Sequence, residues 1–319
     1  MKDKDVGKCP VCGNPKFRTL YSGHPPFSDI ILIQCERCHL ACTHPLPTDE
    51  TFHIHDKDAY YGKQKSKFSY FLQDFRNEIM KLRARQFLTL IPDSVTAPRV
   101  LDIGCAEGRL LKAFQDYGCR CWGIEHPAYP LQRFFQKDRI HYQQGDFQVI
   151  DLPEDSFDLI VLWHVLEHMD NPGAVMKRIH RLLAAEGVLV LAVPNFSSFE
   201  AKKFKDSWFH LDIPWHRYHF SHTAMECLFR KNDFRVVKLN TFCFEQGPYG
   251  LFQSILNRIG WPRDEFYEAF KGHRNNKRAF QLIMQLVMAF TLSIPCLIAG
   301  YLEALEGKGA VLQYVLRKR

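Results

Sequence analysis

Two cysteine pairs near the start of the chain have the spacing of a metal site. Cys9 and Cys12 lie in CPVC, and Cys35 and Cys38 lie in CERC. Each pair lets two thiolates converge from one tight turn, and four thiolates complete the tetrahedral shell of zinc. Such a site is closed, so the spacing predicts structural zinc in a zinc ribbon; the alternative is four unrelated buried thiols. Nearby side chains that offer substitute ligands are His39, Cys42 and His44.

A second group of chemistry-bearing residues lies in VLDIGCAEGRLL, residues 100–111. An apolar run that contains Asp102 ends at Gly104, and helical spacing resumes after Gly108. Glycines allow a sharp strand-to-helix turn and let a ligand approach without a Cβ in the way. The spacing is Gly-x-Ala-x-Gly, whereas dinucleotide-binding turns have Gly-x-Gly-x-x-Gly. By itself the turn predicts a ligand site and leaves the ligand open.

Polar side chains also follow three later apolar runs, where Glu125, Asp146 and His164 end or follow predicted strands. Alternating strands and helices predict a doubly wound α/β sheet, whose ligands bind at the carboxyl ends of the strands. We therefore expect these three residues to share one sheet edge with Asp102 and Gly104. A carboxylate at the end of the second strand can accept hydrogen bonds from ribose hydroxyls. The predicted strands are 99–103, 119–124, 140–142, 157–163 and 187–193.

This order of features resembles the class I S-adenosylmethionine-dependent methyltransferases over about residues 96–243. LDIGCAEG is similar to their first motif, Glu125 to their ribose-binding acid, and Gly145-Asp146-Phe147 to their adenine-contacting segment. FDLIVLWHVLEH is similar to the strand beside the reacting methyl group. Ala106 departs from the family, which more often has glycine there. The resemblance implies these donor-binding residues: Asp102, Gly104, Cys105, Ala106, Gly108, Glu125, Asp146, Phe147 and Trp163.

The resemblance also explains the glycine spacing, because S-adenosylmethionine carries no pyrophosphate for a third glycine to accommodate. It implies that N–H groups at the start of the following helix receive the donor carboxylate and that Asp102 holds its ammonium group. The alternative for Glu125 and Asp146 is that both are solvated acids at strand ends. The implied cofactors are S-adenosyl-L-methionine and structural zinc.

The implied fold is α/β: a doubly wound, seven-stranded, Rossmann-like methyltransferase sheet with a small N-terminal zinc ribbon and a C-terminal helical insertion. We place the zinc ribbon at 1–47 and a linker with an N-terminal helix at 48–95. The class I methyltransferase domain is expected over 96–319, with the apolar helical insertion at about 250–305. The ribbon, Tyr60-Tyr61-Gly62 and DIPWHRYHFS further resemble a bacterial branch that modifies sugars, glycans and other small metabolites.

Histidines after two strands are the candidates for acceptor chemistry. Methyl transfer from a sulfonium is an in-line displacement, so the protein mainly orients the nucleophile and excludes water. A base is needed only if the acceptor must lose a proton, and histidine suits that role near neutral pH. We predict His164, His216 and His168 as the catalytic candidates. The wider set contains Glu167, His210 and His219, within or beside the aromatic-rich stretch 208–222, whose composition favours sugar or aromatic acceptors.

The expected acceptor is a small molecule, a sugar or a lipid-linked glycan of polysaccharide biosynthesis. One alternative is an RNA methyltransferase that uses the ribbon for recognition. Against it, the fourth strand ends in Trp163-His164-Val165 instead of Asn/Asp-Pro-Pro-aromatic, and no basic run has interleaved aromatics. Another alternative is a non-catalytic donor-binding scaffold, against which the intact Glu125 and Asp146 argue.

Composition predicts the compartment. The 319 residues carry a formal net charge of +7, a mild excess that permits contact with phosphate or an anionic membrane. The N-terminus, MKDKDVGKCPVCG, has no apolar core and does not predict a signal peptide. Eleven cysteines without such a signal favour a reducing compartment. We therefore expect a cytoplasmic protein, peripheral to the inner face of the membrane if membrane contact occurs.

An uncharged apolar segment, 279–302, precedes a final predicted strand at 309–319. It is long enough to span a bilayer, but a spanning helix would leave the last strand on the wrong side. Pro295 and Gly300 predict a break within it. We expect a helical element docked on its own domain, on a second copy in a homodimer, or on a membrane surface. Basic residues that flank it and suit anionic headgroups are Arg274, Lys277 and Arg278.

Overall fold

The computed structural model describes residues 7–24, 27–46, 68–127, 140–261 and 279–319. Most of the predicted linker lies outside them, as do Tyr60-Tyr61-Gly62 and the basic flank formed by Arg274, Lys277 and Arg278. The strands of the described chain are β1 Phe17–His24, β2 Phe27–Cys35, β3 Ala41–His44, β4 Arg99–Ile103, β5 Arg120–Glu125, β6 Ile140–Gln144, β7 Phe157–Trp163, β8 Leu183–Pro194, β9 Tyr218–His219, β10 Phe234–Asn240 and β11 Val311–Lys318.

The larger sheet has seven strands in the order β10-β11-β8-β7-β4-β5-β6. The five strands from β8 to β6 run parallel, and β11 pairs antiparallel with both β8 and β10. The strand order reverses between β4 and β7, where ligands of open α/β sheets bind. The predicted doubly wound, seven-stranded, Rossmann-like sheet is thereby confirmed, including its antiparallel last strand.

Helices cover both faces of this sheet, which explains why its central strands are continuously apolar. Residues 100–103 of β4 and 159–162 of β7 are buried along their whole length. Local signals set the helix starts: Pro172 occupies the first turn of one helix, and the Asn171 side chain accepts from the Ala174 N–H at 3.0 Å. The helices are α1 Phe68–Leu88, α2 Arg109–Asp116, α3 Pro172–Leu182, α4 Phe199–Phe204, α5 His222–Lys231, α6 Gly247–Arg258 and α7 Ala279–Leu305.

The N-terminal strands form a second sheet that is completed by a strand of the larger domain. Strands β1, β2 and β3 pair antiparallel, and β9 from the middle of the chain adds the fourth strand. Ala41 pairs with His219, and Cys42 pairs with Tyr218. Leu40 also belongs to the same buried apolar cluster as residues of β7 and β8. The cysteine segment is therefore packed on the region that follows β8.

The helical insertion between the last two strands is present as α6 and α7. Helix α7 continues through Pro295 and Gly300, so the predicted break at these residues is wrong. A proline removes one backbone donor. The helix nevertheless tolerates Pro295, because its other hydrogen bonds and its packing on α6 remain. Within the described residues, no helix is both long enough and apolar enough to cross a membrane.

Glu303 of α7 makes the stability of this insertion depend on pH. Burial raises the pKa of Glu303 to about 7, while Lys203 opposes the rise and Glu306 adds to it. Because this pKa exceeds the unfolded value of about 4.3, the neutral form stabilises the fold at low pH, and this stabilisation is lost as pH rises through 7. Replacing Glu303 with glutamine removes the titration. Urea unfolding of Glu303→Gln should therefore show a smaller fall in unfolding free energy between about pH 5 and 7 than the wild type.

The matched control for this experiment is Glu154→Gln, which removes a carboxylate of an exposed pair with Arg181. We expect its pH dependence to match that of the wild type. Identical pH profiles for Glu303→Gln and the wild type would contradict the assignment.

Candidate functional site

The turn after β4 contains three left-handed residues. Gly104, Ala106 and Gly108 have φ values of 76°, 47° and 73°. The N–H groups of Gly104 and Cys105 donate to the Ile124 carbonyl, at 2.8 and 3.2 Å, and fasten the turn to β5. Ala106 shows that a Cβ is accommodated where the resembled family more often has glycine.

Close approach accounts for the glycines around this turn. A Cβ on Gly104 would lie 2.3 Å from Cγ2 of Val165, which belongs to the loop after β7. A Cβ on Gly123 of β5 would lie 2.6 Å from Leu111 Cδ1 and 2.8 Å from Cys105 Sγ. The loops after β4 and β7 are therefore in direct contact. The role of Gly123 was not evident in the sequence, because it depends on which helix packs over β5.

Two buried acids lie at the neighbouring tips of β4 and β5. Burial raises the pKa of Asp102 to about 8; the negative charge of Glu125 adds to this rise, and Arg83 opposes it. Burial also raises the pKa of Glu125, although N–H groups of His126 and Ala106 donate to its carboxylate at 2.7 and 2.6 Å. Lone pairs of Glu125 remain available to hydroxyl donors. The two acids make this edge complementary to a positively charged ligand.

Helix α2 begins at this edge. Gly108 is its N-cap residue, and no side chain caps the first turn. N–H groups at a helix start attract carboxylates. Two acids, lone pairs for hydroxyls and an uncapped helix start together suit a ligand with an ammonium group, a ribose and a carboxylate.

The other predicted donor-binding residues differ in how far they are buried. Asp146 is exposed, and its carboxylate accepts from the Gln148 N–H at 2.9 Å within its own turn. Phe147 is buried, with the Arg178 guanidinium 5.1 Å from its ring centre. Trp163 lies at the tip of β7 under Arg83 of α1, whose guanidinium carbon is 4.3 Å from the ring centre. The sequence does not predict this position of Arg83, because no local pattern shows which way α1 faces.

A histidine with left-handed backbone geometry follows β7 directly. His164 has φ 55°, and its N–H donates to the Ala192 carbonyl at 2.9 Å. Non-glycine residues adopt this geometry rarely, often at functional sites. Its ring Nδ1 lies 3.3 Å from Oε1 of Glu167, and its Nε2 is buried without a partner among the described residues.

Glu167 occupies the centre of a cluster that we call the histidine cluster: His164, Glu167, His168, His210, His216 and His219. Glu167 is only 1% exposed. Burial alone would raise its pKa, but the hydrogen bond from His164 and the nearby histidines outweigh it and lower the pKa to about 2. The cluster therefore keeps a buried negative charge among imidazoles. The sequence places Glu167 in the wider set of candidates but does not predict its central position.

Two segments far apart in sequence meet in this cluster. His168 and His216 stack edge to face, with ring centres 4.8 Å apart. Burial lowers the pKa of both rings, so their neutral forms are favoured. The structure thus brings together all three predicted catalytic candidates, His164, His168 and His216, around Glu167.

The N-terminal sheet holds the His216 segment in place. The Thr43 hydroxyl of β3 donates to the His216 carbonyl at 2.6 Å, and the Thr43 N–H donates to the Arg217 carbonyl at 3.0 Å. The same hydroxyl lies 3.2 Å from Nε2 of His219. No sequence motif predicts this contact between β3 and the His216 segment.

The four predicted zinc ligands are buried together at one point. The sulfurs of Cys9, Cys12, Cys35 and Cys38 all lie within 4.8 Å of one another. The Cys9–Cys38 and Cys12–Cys35 pairs are 3.6 and 3.4 Å apart. Zn–S bonds of about 2.3 Å place tetrahedral sulfurs about 3.8 Å apart, so the donor set fits zinc. The substitute candidate Cys42 is buried but is not part of this group.

The fold defines the class of protein: a class I methyltransferase sheet. The turn at 104–108 follows its first parallel strand, and we call it the donor turn after its predicted ligand. A family profile described as a methyltransferase domain matches residues 71–239, more than half of the 319-residue chain. The chain therefore belongs to this methyltransferase family.

Curated relatives with similar sequences include O-methyltransferases. A ubiquinone biosynthesis O-methyltransferase of Rhodopseudomonas palustris is 31% identical over 102 residues, covering 30% of this chain and 40% of that protein. A malonyl-[acyl-carrier protein] O-methyltransferase of Enterobacter lignolyticus is 26% identical over 137 residues, covering 43% of this chain and 53% of that protein. The chain thus spans about half the length of these relatives, or less.

Solved structures with a similar fold include an S-adenosylmethionine-dependent methyltransferase from Mesorhizobium loti, with a TM-score of 0.42 and 15% identity. It covers 73% of this chain and 96% of its own. Another is phosphoethanolamine N-methyltransferase 2 of Haemonchus contortus, with a TM-score of 0.47, 16% identity, and coverage of 74% of this chain and 52% of its own.

Replacing Gly104 with alanine tests the contact between the two loops. The new Cβ would clash with Val165 and strain a left-handed residue, costing about 1–3 kcal/mol of unfolding free energy. Because the turn must move, we also expect donor affinity to fall at least tenfold, measured by calorimetry with S-adenosylmethionine.

Gly118→Ala is the matched control. Gly118 has φ 85°, so it carries the same backbone penalty, but nothing lies within 4 Å of its added Cβ. It should lose stability yet keep its donor affinity. Equal donor affinity in the two variants would show that the Gly104–Val165 contact does not shape the donor site.

Proposed function

We propose that this enzyme transfers a methyl group to an oxygen of a small-molecule or saccharide acceptor bound at the histidine cluster. The observation that carries the proposal is the contact of Val165 with Gly104, which places the His164–Glu167 pair beside the donor turn. The two curated relatives, a ubiquinone biosynthesis O-methyltransferase and a malonyl-[acyl-carrier protein] O-methyltransferase, support oxygen as the nucleophile.

The donor is held by the edge formed by β4, β5 and α2. Glu125 accepts hydrogen bonds from ribose hydroxyls with its remaining lone pairs, and Asp102 attracts the ammonium group. The N–H groups at the start of α2 receive the carboxylate. Trp163 and Phe147 supply apolar surface at this edge. When bound, S-adenosylmethionine supplies a methyl group already activated on a sulfonium.

His164 is the proposed base. Glu167 orients its ring through Nδ1, which leaves the buried Nε2 for the hydroxyl of the acceptor. A proton donated to Nε2 is stabilised by the adjacent carboxylate, as an acid stabilises the imidazolium in other histidine–carboxylate pairs. His168 and His216 lie beside this pair in the same histidine cluster. Their burial excludes water from the reacting oxygen.

Labelling of candidate acceptors tests the reaction. Purified protein, donor with a labelled methyl group, and separate small-metabolite, saccharide, lipid and RNA fractions are incubated together. We expect label in an oxygen-methylated small molecule or saccharide. Label confined to RNA would overturn the proposal in favour of a nucleic-acid methyltransferase.

His164→Asn then tests the base on the labelled acceptor. Asparagine tolerates the left-handed backbone of His164, so the loop should keep its shape. Without the imidazole we expect the turnover rate to fall about 10²–10⁴-fold, with donor affinity unchanged. The control is His222→Asn on α5, where the ring bonds Tyr314 outside the cluster. Equal rates for the two variants would remove His164 as the base.

We also propose that Cys9, Cys12, Cys35 and Cys38 bind a structural zinc ion, on the evidence of their mutual distances. In Cys35→Ser protein loaded with cobalt, the thiolate-to-cobalt charge-transfer band should weaken and the melting temperature should fall. Methyl transfer should fall too, because β3 holds the His216 segment. The control, Cys227→Ser, changes a half-buried cysteine of α5. An unchanged band in Cys35→Ser would exclude this ligand set.

Exposed apolar residues at the end of α7 favour contact of this helix with a membrane surface or with a second copy of the chain. Ile294, Ile298, Tyr301, Leu302 and Leu305 are each more than half exposed, at spacings that place them along one face. A lipid-linked acceptor would fit such contact. Peripheral membrane association, a homodimer and the cytoplasmic location remain predictions.

A further inference from the structure

Three members of the histidine cluster are as close to one another as the ligands of a bound metal ion. Glu167, His168 and His216 each present a ligand atom, and these atoms lie within 4.8 Å of one another. We propose that the three residues bind a divalent transition-metal ion, separate from the four-cysteine site, with an open position for the acceptor oxygen. This inference deepens the proposed function and rests on it for the role of the metal.

The two imidazoles already have the tautomer that metal binding needs. His168 Nδ1 lies 3.0 Å from the Trp215 carbonyl, and His216 Nδ1 lies 2.9 Å from the His210 carbonyl. A carbonyl oxygen only accepts, so Nδ1 donates in both rings and Nε2 keeps its lone pair. Ligating histidines characteristically donate their other N–H to a backbone carbonyl or carboxylate, which fixes the ring.

Among the described residues, only one oxygen of the Glu167 carboxylate has a hydrogen-bond partner. Oε1 of Glu167 lies 3.3 Å from His164 Nδ1, while Oε2 is buried without a hydrogen-bond partner among the described residues. A buried oxygen left without a partner costs free energy, and most so when it is charged. A cation bound at Oε2 would remove that cost. This orphan oxygen is a second observation, independent of the distances, that points to a missing ligand.

The donor set selects the kind of metal. Two imidazoles and one carboxylate suit zinc, iron and cobalt, whereas magnesium and calcium prefer all-oxygen shells. Catalytic zinc sites use three protein ligands of this kind and keep one position open. Asp212 approaches His216 Nε2 at 3.7 Å and is 39% exposed, so it faces the outer side of the site. One buried carboxylate leaves a divalent ion with net positive charge.

That net charge defines the acceptor chemistry. A metal-bound oxygen loses its proton more easily, so the site favours an acceptor with an acidic hydroxyl, such as a phenol or an enol. The loop from His164 to His168 carries two of the ligands and, through Val165, touches the donor turn. An oxygen held at the metal therefore lies beside the donor site.

Cobalt titration of the full-length protein, stripped of metal by a chelator, tests the site. We expect two equivalents per chain. One gives the thiolate-to-cobalt charge-transfer band of the cysteine site, and the other gives ligand-field absorption without that band. Glu167→Gln and His216→Asn should each bind one equivalent, and the matched control His222→Asn should bind two. Circular dichroism monitors folding of each variant.

Saturation of the wild type at one equivalent, all of it with the thiolate band, would overturn the metal site even if the variants fail to fold. Two equivalents in well-folded Glu167→Gln would also overturn it. The outcome is separable from the proposed function. Oxygen methylation without a second cobalt ion leaves the proposed function standing, whereas a second cobalt ion without any labelled oxygen acceptor leaves only the metal site.

Discussion

The contact between Gly104 and Val165 is the constraint on which the rest of the site depends. It joins the loop after β4, which contains the proposed donor turn, to the loop after β7, which carries His164 and Glu167. A side chain at Gly104 would separate the two loops by about the width of a methyl group. Because in-line transfer requires donor and acceptor at a fixed separation, the proposed chemistry depends on this close approach.

The site combines two electrostatic environments of opposite character. At the tips of β4 and β5, Asp102 and Glu125 are buried acids with raised pKa values. A positively charged donor would lower these pKa values, because it favours the ionised carboxylates. A few residues further along the sheet edge, Glu167 is buried among imidazoles that lower its pKa. The first environment gains from binding a cation as ligand. The second already contains the groups that accept a proton or a metal.

The N-terminal sheet, although small, helps to position the histidine cluster. A segment of its length buries too little apolar surface to be stable alone, so contact with the larger domain must hold it, together with the proposed zinc. Its strand β3 pairs with β9, and Thr43 bonds the backbone of the His216 segment. The N-terminal sheet thereby supports one side of the histidine cluster, although the two are far apart in sequence.

The sequence by itself determined the sheet and its ligand edge, because apolar runs, glycines and strand-end acids are local signals that parallel strands bring to one edge. It also determined the four-cysteine group, whose spacing encodes its geometry. Only the tertiary structure decided that Glu167 is the centre of the histidine cluster, that Thr43 holds His216, and that Arg83 lies over Trp163. It also kept α7 continuous through Pro295, where the local signal predicted a break. These contacts join segments distant along the chain, and packing between such segments leaves no periodic trace in either one.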